Sequence, residues 1–264
     1  MDQASVLDER SWNLLVQRLH GLGYTAVSER PIAGLDDMWL VVSDVLEDVG
    51  LLDAVIWQYC RTKRTTRIPL AASMIGKAVL GWMTATTVVS WSLFATIPYL
   101  DPANLAVRMV GGVPVEMTVV QPRYLVGEKP RLDIHAETVA DCVMRWSATI
   151  IEALHLRSRA GTRAFWGTVA LQSRAPFLPL TTVQGDQASI NRDLLSNHLQ
   201  EFENLVECVP AQDHSKTRAM LTLRRTCCLR YTLPAGKYRA SCSLVDRNSR
   251  LQQLNTAWIE RRDR

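Results

Sequence analysis

Most of the short motifs that announce a chemistry are missing from this chain. It has no glycine-rich phosphate loop, no HExxH pair and no GxSxG elbow. Those gaps remove the plainest signals for nucleotide binding, zinc-dependent hydrolysis and serine-hydrolase catalysis. The five histidines, His20, His135, His155, His198 and His214, are scattered. Asp133, His135 and Glu137 sit close in sequence, but such a group more often marks a polar helix entrance than a metal site. No segment is of low complexity and none repeats, which argues against a solenoid. The opening MDQASVLDERSW lacks the basic and apolar regions of a secretory leader. The expected location is cytoplasmic, where six cysteines read as thiols or metal ligands rather than a disulfide framework.

With 264 residues, 47% of them hydrophobic and 21% charged, the chain can build a sizeable core. The charge is uneven. Residues 1–213 hold 18 Lys/Arg against 23 Asp/Glu, a net of −5, whereas residues 214–264 hold 12 against 3, a net of +9. A basic C-terminal fifth suits an acidic protein or an anionic small molecule. Nucleic acid is not expected, because Tyr231, Tyr238 and Trp258 are not spaced as a stacking platform and no binding motif is present.

Hydrophobic periodicity predicts a mostly helical protein. Residues 5–20 form a stripe with Val6, Leu7, Trp12, Leu14, Leu15 and Leu19. A second helix is expected over 36–61, broken near Gly50. From Ala78 to Leu100 no residue is charged, long enough to raise a membrane span. The six Thr and Ser hydroxyls within it, with Lys77 and Pro98 near its ends, favour one or two buried helices. Membrane contact is therefore not expected. Strands are expected within 113–126 and at 220–225, and helices over 138–159, 165–171 and 189–209. The tail 246–264 reads as a loosely attached basic helix. The expected class is α+β, predominantly helical with a small β component. The divisions are a helical body over 1–213, a cysteine region over 214–245 and the tail.

Half of the cysteines fall in RRTCCLRYTLPAGKYRASC, residues 224–242. Adjacent Cys227 and Cys228 point apart and seldom grip one zinc well, whereas a [2Fe–2S] cluster can be reached from two sides. Spacing alone also leaves room for three ordinary thiols. The surrounding residues add something. RRTCCLRYTLP resembles the C-terminal motif of the FhuF-like ferric-siderophore reductase family: a double Cys, ten residues, a Cys, two residues and a Cys. The apolar stretch 68–97 and FWGTVALQ at 165–172 are similar to that family too, and the likeness extends over most of residues 30–245.

In that family the four cysteines hold a [2Fe–2S] cluster. The resemblance assigns ligand positions to Cys227, Cys228 and Cys242, while the third position holds Arg239, a cation with no normal acceptor. Cys208 or His214 could complete the set, an incomplete cluster could persist, or the cluster is lost. Loss is the expectation, with no cofactor. The chain is then a repurposed member that binds a bulky siderophore or natural product. It could act on that molecule in a non-redox step such as cyclisation or rearrangement. The alternative is a ferric-siderophore reductase with a substituted cluster ligand and an electron-donor protein as partner. Candidate ligand-binding residues are Trp82, Thr86, Thr87, Ser90, Trp91, Trp146 and Trp166. Arg224, Arg225 and Arg230 are candidates for steering an anion.

Overall fold

The computed structural model describes residues 4–6, 9–29, 39–125, 132–212, 218–234, 236–238 and 242–262. The ligand position at Arg239 and the candidate His214 lie outside them. In chain order the elements are β1 (Ala4–Val6), α1 (Glu9–Gly21), β2 (Trp39–Val41), α2 (Val42–Glu47) and α3 (Val49–Thr62). Next come α4 (Ile68–Phe94), β3 (Ile97–Pro98), β4 (Leu105–Val110), β5 (Val113–Val119) and β6 (Arg123–Leu125). The chain continues through α5 (Leu132–Ser158), α6 (Thr162–Gln172), α7 (Phe177–Gln184), α8 (Asp186–His198), β7 (Val206–Pro210), β8 (Met220–Arg224) and α9 (Arg247–Arg262). The class is thus α+β and predominantly helical.

The helix α4 is the axle. It packs against α5, α6 and α3, with α1 and α7 beyond. Its length and apolar composition would suffice to cross a membrane, yet 72% of its most apolar window is buried inside the protein. A helix apolar on every side belongs in a core when neighbours surround it, as they do here. It runs unbroken over 27 residues and stops where Ala95 turns left-handed and donates its N–H to the Trp91 carbonyl. Three of its hydroxyls bond nearby groups, while those of Thr84 and Thr86 are buried with no hydrogen-bond partner among the described residues. Thr87 donates to the Met83 carbonyl at 2.9 Å, and Ser90 and Thr96 share a bond at 3.2 Å. Ser92 donates to Gln184 of α7 and accepts from Asn191 of α8.

Among the described residues the strands form three small antiparallel sheets: β1–β6–β3, β2–β4–β5 and β7–β8. The hairpin β4–β5 turns at Gly111 and Gly112.

Several boundaries differ from the sequence expectation. The break in the second helix falls at Asp48, not Gly50. The Asp48 carboxylate caps α3 by accepting from the N–H groups of Gly50 and Leu51, a stronger start signal than glycine is a stop. In α1, Val16 is buried while Leu14 is exposed. The expected helix over 189–209 ends at His198, and Val206–Pro210 instead pairs with β8, Cys208 opposite Thr222. A waiting partner strand overrides local helix propensity.

The basic tail is not loosely attached. Arg247 binds Glu207 of β7 at 2.6 Å, Arg250 donates to the Arg224 carbonyl at 2.9 Å, and Trp258 is buried. Asn255 and Gln212 exchange two hydrogen bonds. These contacts clamp α9 onto the β7–β8 pair.

Candidate functional site

The cysteine segment leaves β8 and crosses α6. Its approach is unusually close: a Cβ on Gly167 would stand 1.8 Å from the Thr226 hydroxyl and 2.7 Å from its Cβ. Only glycine permits that crossing, which brings FWGTVALQ against RRTCC. The chain then turns at Leu229, whose φ of 57° is rare for a residue with a side chain. The turn aims two successive N–H groups at sulfur. Leu229 donates to Cys227 Sγ at 3.3 Å, and the Arg230 N–H bonds Cys228. Such a backbone nest favours negative charge on the sulfurs.

Cys227, Cys228 and Cys242 line one small cavity of about 20 Å³ with Lys77, Arg224, Arg230 and Lys237. Lys77 comes from α4, 151 residues away in sequence, and its Nζ lies 3.6 Å from Cys228 Sγ. Burial pushes the Cys228 thiol up. Lys77, the Arg230 N–H and Arg224 more than offset this, and its pKa ends below the ordinary thiol value. Cys60, buried without such neighbours, is raised by burial. Alkylation by iodoacetamide should therefore reach Cys228 before Cys60 near neutral pH. Lys77→Met should move the Cys228 alkylation profile to higher pH, as peptide mapping across a pH series would show. An unmoved profile would remove Lys77 from this role.

Arg224, a sequence candidate for steering an anion, is buried rather than open to solvent. It is 3% exposed, held by the Thr226 hydroxyl at 2.7 Å and by the Ala164 carbonyl. No carboxylate pairs with it among the described residues. Burial lowers its pKa while the three cysteines pull the other way. A buried guanidinium without a carboxylate is costly unless negative charge stands near it. Here the nearest source is the sulfur cavity.

Lys77 and Arg230 also belong to the wall of a second, much larger cleft of about 1080 Å³. Met74, Lys77, Ala78, Gly81 and Trp82 of α4 face it. Their spacing of three and four residues is one helical stripe. Opposite them stand Tyr59, Lys63 and Arg64 from the end of α3, the segment 23–26, and Leu233 and Pro234.

The candidate residues divide. Trp82 lines the large cleft, and Arg224 and Arg230 line the cysteine cavity. Thr86, Thr87, Ser90, Trp91 and Trp146 are fully buried and line neither cavity. Trp91 packs edge-on to Phe177 at 6.4 Å and Trp146 edge-on to Tyr99 at 5.8 Å, which is core packing. Trp91 lies nine residues from Trp82, two and a half helical turns, so it points to the opposite side of α4. Trp166 stacks obliquely on Phe202, away from the cleft. Arg225 is exposed and lies 3.8 Å from Glu207. Sequence reasoning missed Lys77, Lys63, Arg64 and Tyr59. Lys77 carried a signal, as the one charge in a 27-residue apolar helix.

The fit of an iron–sulfur cluster is incomplete. Three sulfur donors share the cavity, one short of the four thiolates of an all-cysteine site. Cys208 is not among its lining residues, and a volume of about 20 Å³ holds little more than a water molecule. Among the described residues no three His, Cys, Asp or Glu side chains group closely enough to hold a metal ion. No protein-family model matches the chain, and no curated protein matches it.

Proposed function

We propose that the chain binds a bulky, oxygen-rich small molecule in the cleft of about 1080 Å³, with the cysteine cavity at one side of its wall. The observation that carries this reading is the cleft itself. Its size suits a ligand larger than most metabolites. Its walls combine flat aromatic surface from Trp82 and Tyr59 with cationic side chains. The indole of Trp82 offers an apolar face for the ligand body, while Lys77, Arg230 and Gln172 offer hydrogen-bond donors to its oxygens. This agrees with a repurposed, cluster-free relative of the FhuF-like proteins, acting on a siderophore or another natural product in the cytoplasm. A reaction there would rest on orientation, which by itself can lower a barrier substantially for a cyclisation or rearrangement.

Calorimetric titration with a panel of hydroxamate, catecholate and citrate-based chelators, iron-free and ferric, tests the reading. At least one should bind saturably, and Trp82→Ala should weaken it by about ten-fold, the loss expected for a buried aromatic contact. A panel without saturable binding, or one indifferent to Trp82, would discard the proposal.

A second reading, an iron–sulfur ferric reductase fed by an electron-donor protein, draws support from Arg224. Its buried charge faces three cysteines and no described carboxylate, a setting that suits an anionic cluster. Hard oxygen chelators hold Fe(III) far better than Fe(II), so reduction would release the metal. Anaerobic purification with iron and sulfide analysis separates the two readings. Near-stoichiometric iron and sulfide would replace the first by the second, whereas a protein that stays colourless after reconstitution would end the second.

A further inference from the structure

The two cavities share one electrostatic character. Lys63, Arg64, Lys77 and Arg230 line the large cleft, and Arg224 and Lys237 join Lys77 and Arg230 around the cysteine cavity. No Asp or Glu stands among the described lining residues of either. This is not a reflection of overall composition, since the chain has 30 Lys/Arg against 26 Asp/Glu. A random sample of six charged residues from such a chain would include acids. Elsewhere the protein does pair its cations: Arg108 with Glu116, Arg157 with Asp53 and Arg247 with Glu207. Lys63, Arg64, Arg224, Arg230 and Lys237 have no such pairing among the described residues.

Position sharpens the point. Lys63 and Arg64 follow the end of α3, where Arg64 is held at a φ of 50° by its N–H bond to the Arg61 carbonyl. Lys77 projects from α4, and Arg230 from the turn after the cysteine pair. The cations therefore reach the cleft from separate elements. A concave wall of one sign concentrates the field and selects for ligand charge as well as shape.

From this wall, and resting on the binding reading above, we infer that the ligand is a polyanion. It carries at least two oxyanion groups, carboxylate or phosphate, one met by Lys63 and Arg64 and another by Lys77 and Arg230. The apolar body between them lies on Trp82. A neutral chelator of the same size would fill the cleft but bring no oxyanion to Lys63, Arg64 and Arg230. Ligand charge is thus the feature that separates accepted from rejected molecules of similar bulk.

The test compares three probes by calorimetry at two ionic strengths: an anionic ferric citrate-hydroxamate chelate, a neutral ferric trihydroxamate of similar size, and ATP. At least one anion should bind ten-fold or more tighter than the neutral chelate and weaken as salt is raised. The tighter anion shows whether carboxylate or phosphate is preferred. The double variant Lys63→Gln/Arg64→Gln should weaken the anion by about ten-fold and leave the neutral chelate unchanged. Arg225→Gln, which removes one cation outside the cleft, should do neither. Neutral binding as tight as anionic, or anionic binding indifferent to salt, overturns the inference while the binding reading stands. Binding of no probe overturns both.

Discussion

Trp91→Ala should cost the protein about 3–5 kcal/mol of stability, the usual loss for a fully buried large aromatic, yet leave cleft binding unchanged. The indole is 0% exposed and meets Phe177 at 6.4 Å. Its truncation removes packing around the second half of α4 and opens a hole that rigid neighbouring helices cannot close. The Nε1 has no hydrogen-bond partner among the described residues, so no polar bond is lost to complicate the result. Denaturant melts of the variant should show a lower midpoint, with calorimetry on the folded fraction giving wild-type affinity. Trp82→Ala should show the converse, a small stability change and a large affinity change. The pair matters because both residues read alike in sequence, as tryptophans in one apolar run. A Trp91 variant with normal stability and weak binding would reverse the assignment.

Gly167→Ala is expected to disturb the site more than any exposed substitution near it. The new methyl group would stand 1.8, 2.7 and 2.8 Å from Thr226 Oγ1, Cβ and Cγ2. No rotation of a threonine clears all three, because its Cβ is fixed by the backbone. The segment after β8 must lift from α6. Overpacking of this kind costs about 1–3 kcal/mol. Here the displacement also strips Arg224 of the Thr226 hydroxyl that holds its Nε. The expected outcome is a lower melting point together with faster alkylation of Cys227 and Cys228. Adding Thr226→Gly should restore part of the stability by vacating the space. If Gly167→Ala melts and alkylates like the parent, the close crossing does not govern the site.

Much of the element plan was legible in the sequence. The period of 3.6 marked α1, α5 and α6, and the alternation MLTLR marked β8. Both the grouping of three cysteines and the basic character of the C-terminal fifth are visible without a structure. Boundaries were less so, because they depended on local bonds such as the Asp48 cap or on a distant strand, as with β7. Among candidate residues the sequence could set Trp82 and Trp91 on opposite sides of α4. It could not say which side neighbours would cover.

The helical class, the apolar axle and the cysteine-rich basic segment were therefore determined by the sequence alone, since periodicity and composition act within one stretch of chain. Tertiary structure alone decided the site. It brought Lys77 across 151 residues to Cys228, buried the Arg224 guanidinium between Thr226 and the Ala164 carbonyl, and left Trp82 on an open wall. Each of those outcomes depends on which surfaces meet, and contact between distant elements has no period to read.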